Sequence, residues 1–237
     1  MHKQDSCNTT SEEISSCSLT DEGCKTSNNT KNLGEYWCAI YTNADVTKLG
    51  WYEYESTPSL NLIEKSKVAK DALILTVGAG STTLIDSLLE KKYTNLMAND
   101  ISSCALNTIK NRIGEKQDNV SWIVDDLVNP SSLKNIAKVD VWNDRAVLHF
   151  FIEDKDQDAY FKLLDDKVKT NGHVILAVFN LESATMCSGL PVKRYDEKML
   201  QEKLGSAYLL KDSFNYMYTM PNGEDRNYVY TLFQKTC

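Results

Sequence analysis

Between Asp71 and Phe179 short apolar runs alternate with stretches whose apolar residues recur every three or four positions, and this alternation restricts the fold more than any other feature. The first run, Ala72-Leu73-Ile74-Leu75-Thr76-Val77, is nearly continuous, as a strand covered on both faces requires. Gly78-Ala79-Gly80 ends it, and Leu84, Ile85, Leu88 and Leu89 then fall on one face of a helix. A second strand over 95–99 precedes a helix marked by Ala105, Leu106, Ile109 and Ile113. A third strand covers 120–124 and a fourth 139–142. The stripe Tyr160, Leu163, Leu164 and Val168 then predicts a helix, and 173–179 a fifth strand. Strands and helices at this spacing imply parallel β-α-β units, because a crossover between parallel strands needs room for a helix. The runs 208–218 and 227–233 flank the turn-rich Met220-Pro221-Asn222-Gly223-Glu224 and predict a hairpin. The expected fold is therefore α/β, a mixed sheet with helices on both faces.

Composition sets the size and the partners. The chain has 237 residues, 42% hydrophobic and 25% charged, which suits one large α/β domain. Residues 1–31 nearly lack large apolar side chains and are expected to be a disordered tail, leaving 32–237 as the domain and 32–68 as a segment leading into the first strand. A net charge of −7 disfavours nucleic acid as a partner and polybasic attachment to a membrane. No apolar run approaches the roughly 20 residues of a spanning helix, and the N-terminus lacks the apolar core of a signal peptide. The seven cysteines include no close metal-ligand pair, so the expectation is reduced thiols, a cytoplasmic location and no metal.

Open parallel sheets bind ligands beyond the carboxyl ends of their strands. Gly78, Ala79 and Gly80 stand at that end of the first strand, where glycine permits close approach to the backbone. Asp100, followed by Ile101, ends the second strand, a position from which a carboxylate accepts hydrogen bonds from both hydroxyls of a ribose. Asp125-Asp126-Leu127 ends the third, where a carboxylate can meet an exocyclic amine and a backbone N–H a ring nitrogen. Singly, each feature is also explained by a tight turn or a helix cap. At three consecutive strand ends they describe an adenosine site.

The loop Gly78-Ala79-Gly80-Ser81-Thr82 and the late hairpin resemble the class I S-adenosyl-L-methionine-dependent methyltransferases, and over residues 36–234 that resemblance implies a Rossmann-like seven-stranded sheet in the order 3-2-1-4-5-7-6 with one antiparallel strand. It implies S-adenosyl-L-methionine as cofactor, with Gly78 and Gly80 along its methionine part, Asp100 on the ribose, and Asp126 with Leu127 beside the adenine. The family usually carries an acidic residue two positions before the first glycine. Here that residue is Thr76, so a charge contact with the cofactor's ammonium has to come from elsewhere.

Trp142-Asn143-Asp144-Arg145 resembles a W-D-R stretch of thiopurine-type small-molecule methyltransferases, and a comparable D-K-G stretch occurs in elongation-factor lysine methyltransferases. In both groups it borders the sulfonium and the acceptor, which implies that Asn143 touches the cofactor and Arg145 the acceptor. Gly50-Trp51-Tyr52-Glu53 resembles the lid of the same groups, so Trp51 and Tyr52 are acceptor-side candidates, either as pocket wall or as packing. Asp144 and His149 are candidates to orient or deprotonate the acceptor. The alternatives are an Asp144–Arg145 ion pair and a hydrogen-bonded core histidine. Cys187, with Lys193 and Arg194 nearby in sequence, is either a thiolate for a soft substrate such as a metalloid or a small packed residue. Four functions remain open: methyl transfer to a small molecule through N, O or S, methyl transfer to a protein lysine, a non-catalytic cofactor-binding scaffold, and a nicotinamide dehydrogenase. A monomer or weak dimer is expected.

Overall fold

The computed structural model describes residues 33–237, so the expected tail over 1–31 lies outside the described residues. Two helices, α1 (Leu33–Asn43) and α2 (Thr57–Ser66), precede the sheet. Then come β1 (Ile74–Val77), α3 (Leu84–Glu90), β2 (Leu96–Asp100), α4 (Ser103–Ile113), β3 (Val120–Val124) and β4 (Val139–Arg145). The chain continues through α5 (Asp154–Lys167), β5 (Val168–Phe179), the short pair β6 (Met186–Cys187) and β7 (Leu190–Pro191), and α6 (Glu197–Leu204). It closes with β8 (Tyr208–Thr219) and β9 (Asp225–Lys235).

The main sheet has seven strands in the order β3-β2-β1-β4-β5-β9-β8, which is the expected order once the separate β6–β7 pair is set aside. Strands β1 to β5 pair in parallel, and β9 runs antiparallel to both β5 and β8. Alternation along β1 divides the core. Ile74 packs with Leu62 and Ile63 of α2 and with Leu84, Ile85 and Leu88 of α3. Leu75 and Val77 face Tyr160, Leu163 and Leu164 of α5 and Leu200 of α6. Each such fully buried aliphatic side chain contributes about 1.5–3 kcal/mol relative to exposure. Edge strand β8 alternates between exposed and partly or fully buried positions, since one of its faces is left to solvent.

Reversal of the strand order places β1 between β2 and β4 and opens a crevice above their carboxyl ends, the position at which such sheets take ligands. The segment before β1 roofs it. Tyr41 and Leu49 pack on Ala105 of α4, with Trp37, Ile40 and Trp51 around them. Trp37 meets Trp51 and Phe150 edge-on at 5.6 and 5.4 Å, the geometry that ring quadrupoles favour. A disulfide between Cys38 and Cys104 ties α1 to α4, with Cα atoms 5.0 Å apart. For this pair the expectation of reduced thiols is corrected. No helix among the described residues is long and apolar enough to cross a membrane.

Candidate functional site

The turn after β1 depends on both glycines. Gly78 and Gly80 have φ of +50° and +55°, where a side chain is disfavoured. A Cβ on Gly80 would stand 2.5 Å from the Tyr41 hydroxyl, and one on Gly78 would collide with Val147. The glycines therefore make room for neighbouring protein side chains. With its N–H turned inward, Gly80 donates to Asp100 Oδ2 at 2.7 Å, while Ser102 N–H donates to Oδ1 at 2.8 Å. Each carboxylate oxygen keeps lone pairs in hand. Burial pushes the Asp100 carboxyl up to about 6, against the pull of the Ser102, Gly80 and Ile101 N–H groups.

Asp125 has a different occupation. Its two oxygens accept from the N–H groups of Ser131, Ser132 and Leu133 and from the Ser131 hydroxyl at 2.8–3.0 Å. Burial raises this carboxyl, but the donors outweigh it and hold it below the ordinary carboxylate range. Asp125 lines the larger space over the strand ends, but its carboxylate is engaged in capping the turn at Leu133. Asp126 has only Oδ1 engaged, by Val128 N–H at 2.9 Å, and Leu127 beside it is buried.

Two connected spaces lie over these strand ends. The larger, about 290 Å³, runs from Asp100, Ile101, Asp126 and Leu127 to an aromatic and aliphatic end at Trp37, Trp51, Phe150, Cys187, Leu190 and Pro191. The smaller, about 40 Å³, is walled by the turn Thr76–Thr82, by Trp51, Tyr52 and Glu53, and by Ser56, Ser59, Asn143 and Arg145. Five buried polar atoms of that wall have no hydrogen-bond partner among the described residues: Ser59 Oγ, Thr76 Oγ1, Ser81 Oγ, Asn143 Oδ1 and Arg145 Nη2. Buried polar groups are rarely left unpaired, and leaving one so costs about 1–3 kcal/mol. Their convergence on one space marks a place built for a polar occupant.

Arg145 anchors that wall. Its Nε lies 3.1 Å from both Glu53 Oε2 and the Tyr230 hydroxyl, and Nη1 donates to Trp51 O at 2.9 Å. Burial opposes its charge, yet Tyr230, Glu53 and Tyr228 raise its pKa above the ordinary guanidinium range. Burial likewise raises the Glu53 carboxyl, with Arg145 opposing. The Asp144–Arg145 pair, one of the alternatives weighed for these residues, does not form. Glu53 takes that role, a partner no local sequence signal reveals.

No family model and no curated protein matches the sequence. Solved structures match it well in shape. A methyltransferase from Anabaena variabilis described as S-adenosylmethionine-dependent superposes with a TM-score of 0.68 at 12% identity, covering 92% of this chain and 99% of that one. The 1,6-didemethyltoxoflavin N1-methyltransferase of Burkholderia thailandensis, bound to its substrate and S-adenosylhomocysteine, gives 0.62 at 16% identity over 92% and 94%. The N-methyltransferase NodS of Bradyrhizobium japonicum, with S-adenosylhomocysteine, gives 0.61 at 14% over 86% and 99%. The chain has the class I methyltransferase fold.

Within the class I fold, the residues expected to act on the acceptor are arranged otherwise. Asp144 is fully buried and accepts from Tyr160 Oη at 2.6 Å and from the N–H groups of Val147 and Leu148 at 3.0 and 3.1 Å. Burial raises its carboxyl to about 6, against those donors. It holds the turn Leu148–Phe150 in place instead of facing the crevice. His149 is fully buried edge-on to Phe150 and Phe179, each ring 4.6 Å away, and neither ring nitrogen has a partner among the described residues. Burial, helped by Arg145, depresses its pKa to about 3, so the ring stays neutral and takes no part in proton transfer near pH 7. The hydrogen-bonded core histidine weighed from sequence is also not what is found.

Cys187 does line the crevice, but burial pushes its thiol up to about 11 despite Arg226 and Arg145. It is a thiol, which, of the two alternatives weighed for this residue, goes against the thiolate. The basic residues near it in sequence point away. Lys193 donates to Gln157 Oε1 at 2.9 Å, and Arg194 donates to the carbonyls of Leu181 and Ser183 at 2.7 and 3.1 Å. Arg194 thus supports the loop before β6 and leaves the acceptor end. Trp51 and Arg145 line both spaces, and Tyr52 lines the smaller. The sequence reading missed Glu53, Ser59, Ser81 and Phe150. None of the four carries a local signal; for Glu53 the resemblance alone gave a hint, through the absence of an acid at Thr76.

Proposed function

We propose that the chain is an S-adenosyl-L-methionine-dependent methyltransferase acting on a small molecule through nitrogen, oxygen or sulfur. The observation that carries this reading is the sequence of partners along one crevice: a cleft at Asp126–Leu127, a raised, incompletely engaged carboxylate at Asp100, and a small pocket of unpartnered polar atoms beyond Gly78. An adenine, a ribose and a charged amino-acid group need these three environments in this order. When bound, the cofactor supplies an electrophilic methyl group on a sulfonium.

The chain's own part is to position and to exclude water. Asp100 holds the ribose, Ile101 and Leu127 cover the adenine, and Thr76, Asn143 and the glycine turn flank the methionine portion. Trp37, Phe150, Leu190 and Pro191 form an apolar end that suits a small, flat or soft acceptor better than a solvated lysine side chain. Alignment of the acceptor with the methyl group contributes on the order of 7–11 kcal/mol when the attack geometry is held. Asp144 and His149 are both withdrawn from this end, so neither takes a proton from the acceptor, while the Asp156 carboxylate lines the same space. The toxoflavin-pathway neighbour, bound to a small molecule in this fold, supports the same substrate class.

The test is incubation of the full chain with methyl-labelled donor, a panel of thiols, amines and metalloids, and separately a cell-extract protein fraction. Label is expected in the small-molecule fraction. Label confined to protein lysines, or no transfer despite cofactor binding, overturns the reading.

A further inference from the structure

Thr76 stands where the class I fold usually offers a carboxylate to the cofactor's ammonium, and the described structure holds one buried carboxylate beside the same pocket, on Glu53. Glu53 does not act alone. Its side chain and that of Arg145 are 7% and 12% exposed and lie 3.1 Å apart, so the lid contributes one half of a buried ion pair and the end of β4 the other.

A buried ion pair is costly to desolvate and persists where geometry and added hydrogen bonds compensate. This pair is incompletely compensated. Arg145 Nη2 has no partner among the described residues, and the four other unpartnered atoms line the same space. Their chemistry sorts into two sets. Asn143 Oδ1 is an acceptor only, Thr76 Oγ1 can accept, and the Glu53 carboxylate adds a third and charged acceptor. Arg145 Nη2 is a donor only, and the Ser59 and Ser81 hydroxyls can both donate. An ammonium has three hydrogens to give, and a carboxylate takes donors of the second kind. By the measure in which a water needs about 10–15 Å³, the pocket of about 40 Å³ has room for roughly three such groups.

We propose that the Glu53–Arg145 pair is the receptor for the α-amino-acid group of the cofactor, with Glu53 taking the ammonium and Arg145 Nη2 the carboxylate, so that a lid residue supplies the charge contact Thr76 cannot make. This rests on the methyltransferase reading and assigns residues to it that neither the fold nor the glycine turn specifies. One zwitterion is recognised by another. The pair thereby distinguishes the cofactor from nucleosides that lack the amino acid.

The experiment is calorimetric titration of the full chain with S-adenosylhomocysteine and, in parallel, with 5′-methylthioadenosine, which has the same nucleoside and thioether but no amino acid. The variants are Glu53→Gln and Arg145→Lys, with the double variant Glu53→Gln/Arg145→Met as the form that leaves no unpaired buried charge. Expected is a loss of S-adenosylhomocysteine affinity of about thirtyfold or more in each, the fold-change of one charge-assisted contact of roughly 2 kcal/mol. Affinity for 5′-methylthioadenosine stays within about threefold and serves as the fold control. Equal losses for both ligands make the pair a structural strut and overturn the proposal, as do unchanged affinities for both. Failure of the unmodified chain to bind either nucleoside overturns the cofactor reading and this proposal with it. Normal nucleoside binding with no sensitivity at Glu53 or Arg145 overturns this proposal alone.

Discussion

Protons compete with the cofactor at Asp100, and a carboxyl raised to about 6 makes that competition measurable. Ribose hydroxyls donate to this group in its ionised form, and a hydrogen bond to a charged acceptor contributes about 1.5–3 kcal/mol. Two such bonds lower the bound-state pKa by roughly two units or more, at about 1.36 kcal/mol per unit. Binding then draws almost wholly on the ionised protein. The apparent dissociation constant scales as 1 + 10^(pKa − pH), which makes S-adenosylhomocysteine bind about tenfold more weakly at pH 5 than at pH 7. The sign follows from the raised free-state pKa: affinity is complete above about pH 7 and is lost as pH falls through 6. Asp144 also titrates near 6, but its oxygens face Tyr160, Val147 and Leu148, so its proton uptake is common to free and bound protein and cancels. His149, depressed to about 3, is silent over this window. Titration calorimetry at pH 5, 6 and 7 reads the slope directly. Asp100→Asn should bind more than about tenfold more weakly at pH 7 by loss of the charged contacts, and with a flat profile. A flat profile in the unmodified chain, or a slope that survives in Asp100→Asn, refutes the assignment of the ribose to this carboxylate.

Stability should report the buried residues that left the site. Because His149 is held neutral with a pKa near 3, the unfolded chain takes up its proton first as pH falls below about 6.5. The stability of the unmodified chain relative to His149→Phe therefore falls by about 2 kcal/mol between pH 7 and pH 5, and a pH-independent difference in urea melts contradicts the depressed pKa. Asp125→Ala leaves the Leu133 N–H buried without a partner and should lower unfolding free energy by about 1–3 kcal/mol; an unmoved denaturation midpoint would return Asp125 to the ligand. The Cys38–Cys104 bond closes a sequence separation of 66 residues, for which chain entropy gives about 4 kcal/mol. Cys38→Ser, or added reductant, should lower the melting temperature accordingly, and indifference to both would mean that the bond does not form in solution.

The sheet was legible because strands buried on both faces leave continuous apolar runs, and β1 and the 173–179 part of β5 lie in such runs, whereas edge strand β3 is only partly buried. Val168 shows the limit of period counting. It fits the apolar stripe of α5 yet opens β5, since it ends the helical spacing and begins a strand at the same residue. Helix α6 carries a readable start in Asp196, which accepts from Met199 N–H at 2.8 Å, ahead of the apolar Leu200 and Leu204. Asp100 and Asp125 look alike in sequence, each a carboxylate at a strand end. What separates them is the backbone each meets: one N–H per oxygen at Asp100, and a whole turn of donors at Asp125. That difference lies in the conformation of the loops that follow them and, for Asp100, of the turn after β1, which no apolar period encodes. Glu53–Arg145 and Cys38–Cys104 were beyond reach for the same reason, since each joins the lid to a distant element and leaves no period or spacing to read.

If one nucleoside lies across the ends of β1, β2 and β3, a crystal structure of the chain grown with S-adenosylhomocysteine will show ribose oxygens about 2.5–3.0 Å from the Asp100 carboxylate and the amino-acid group beside Arg145. A ligand bound elsewhere, or a crevice closed by Tyr41 against Gly80 with no ligand in it, rules that placement out.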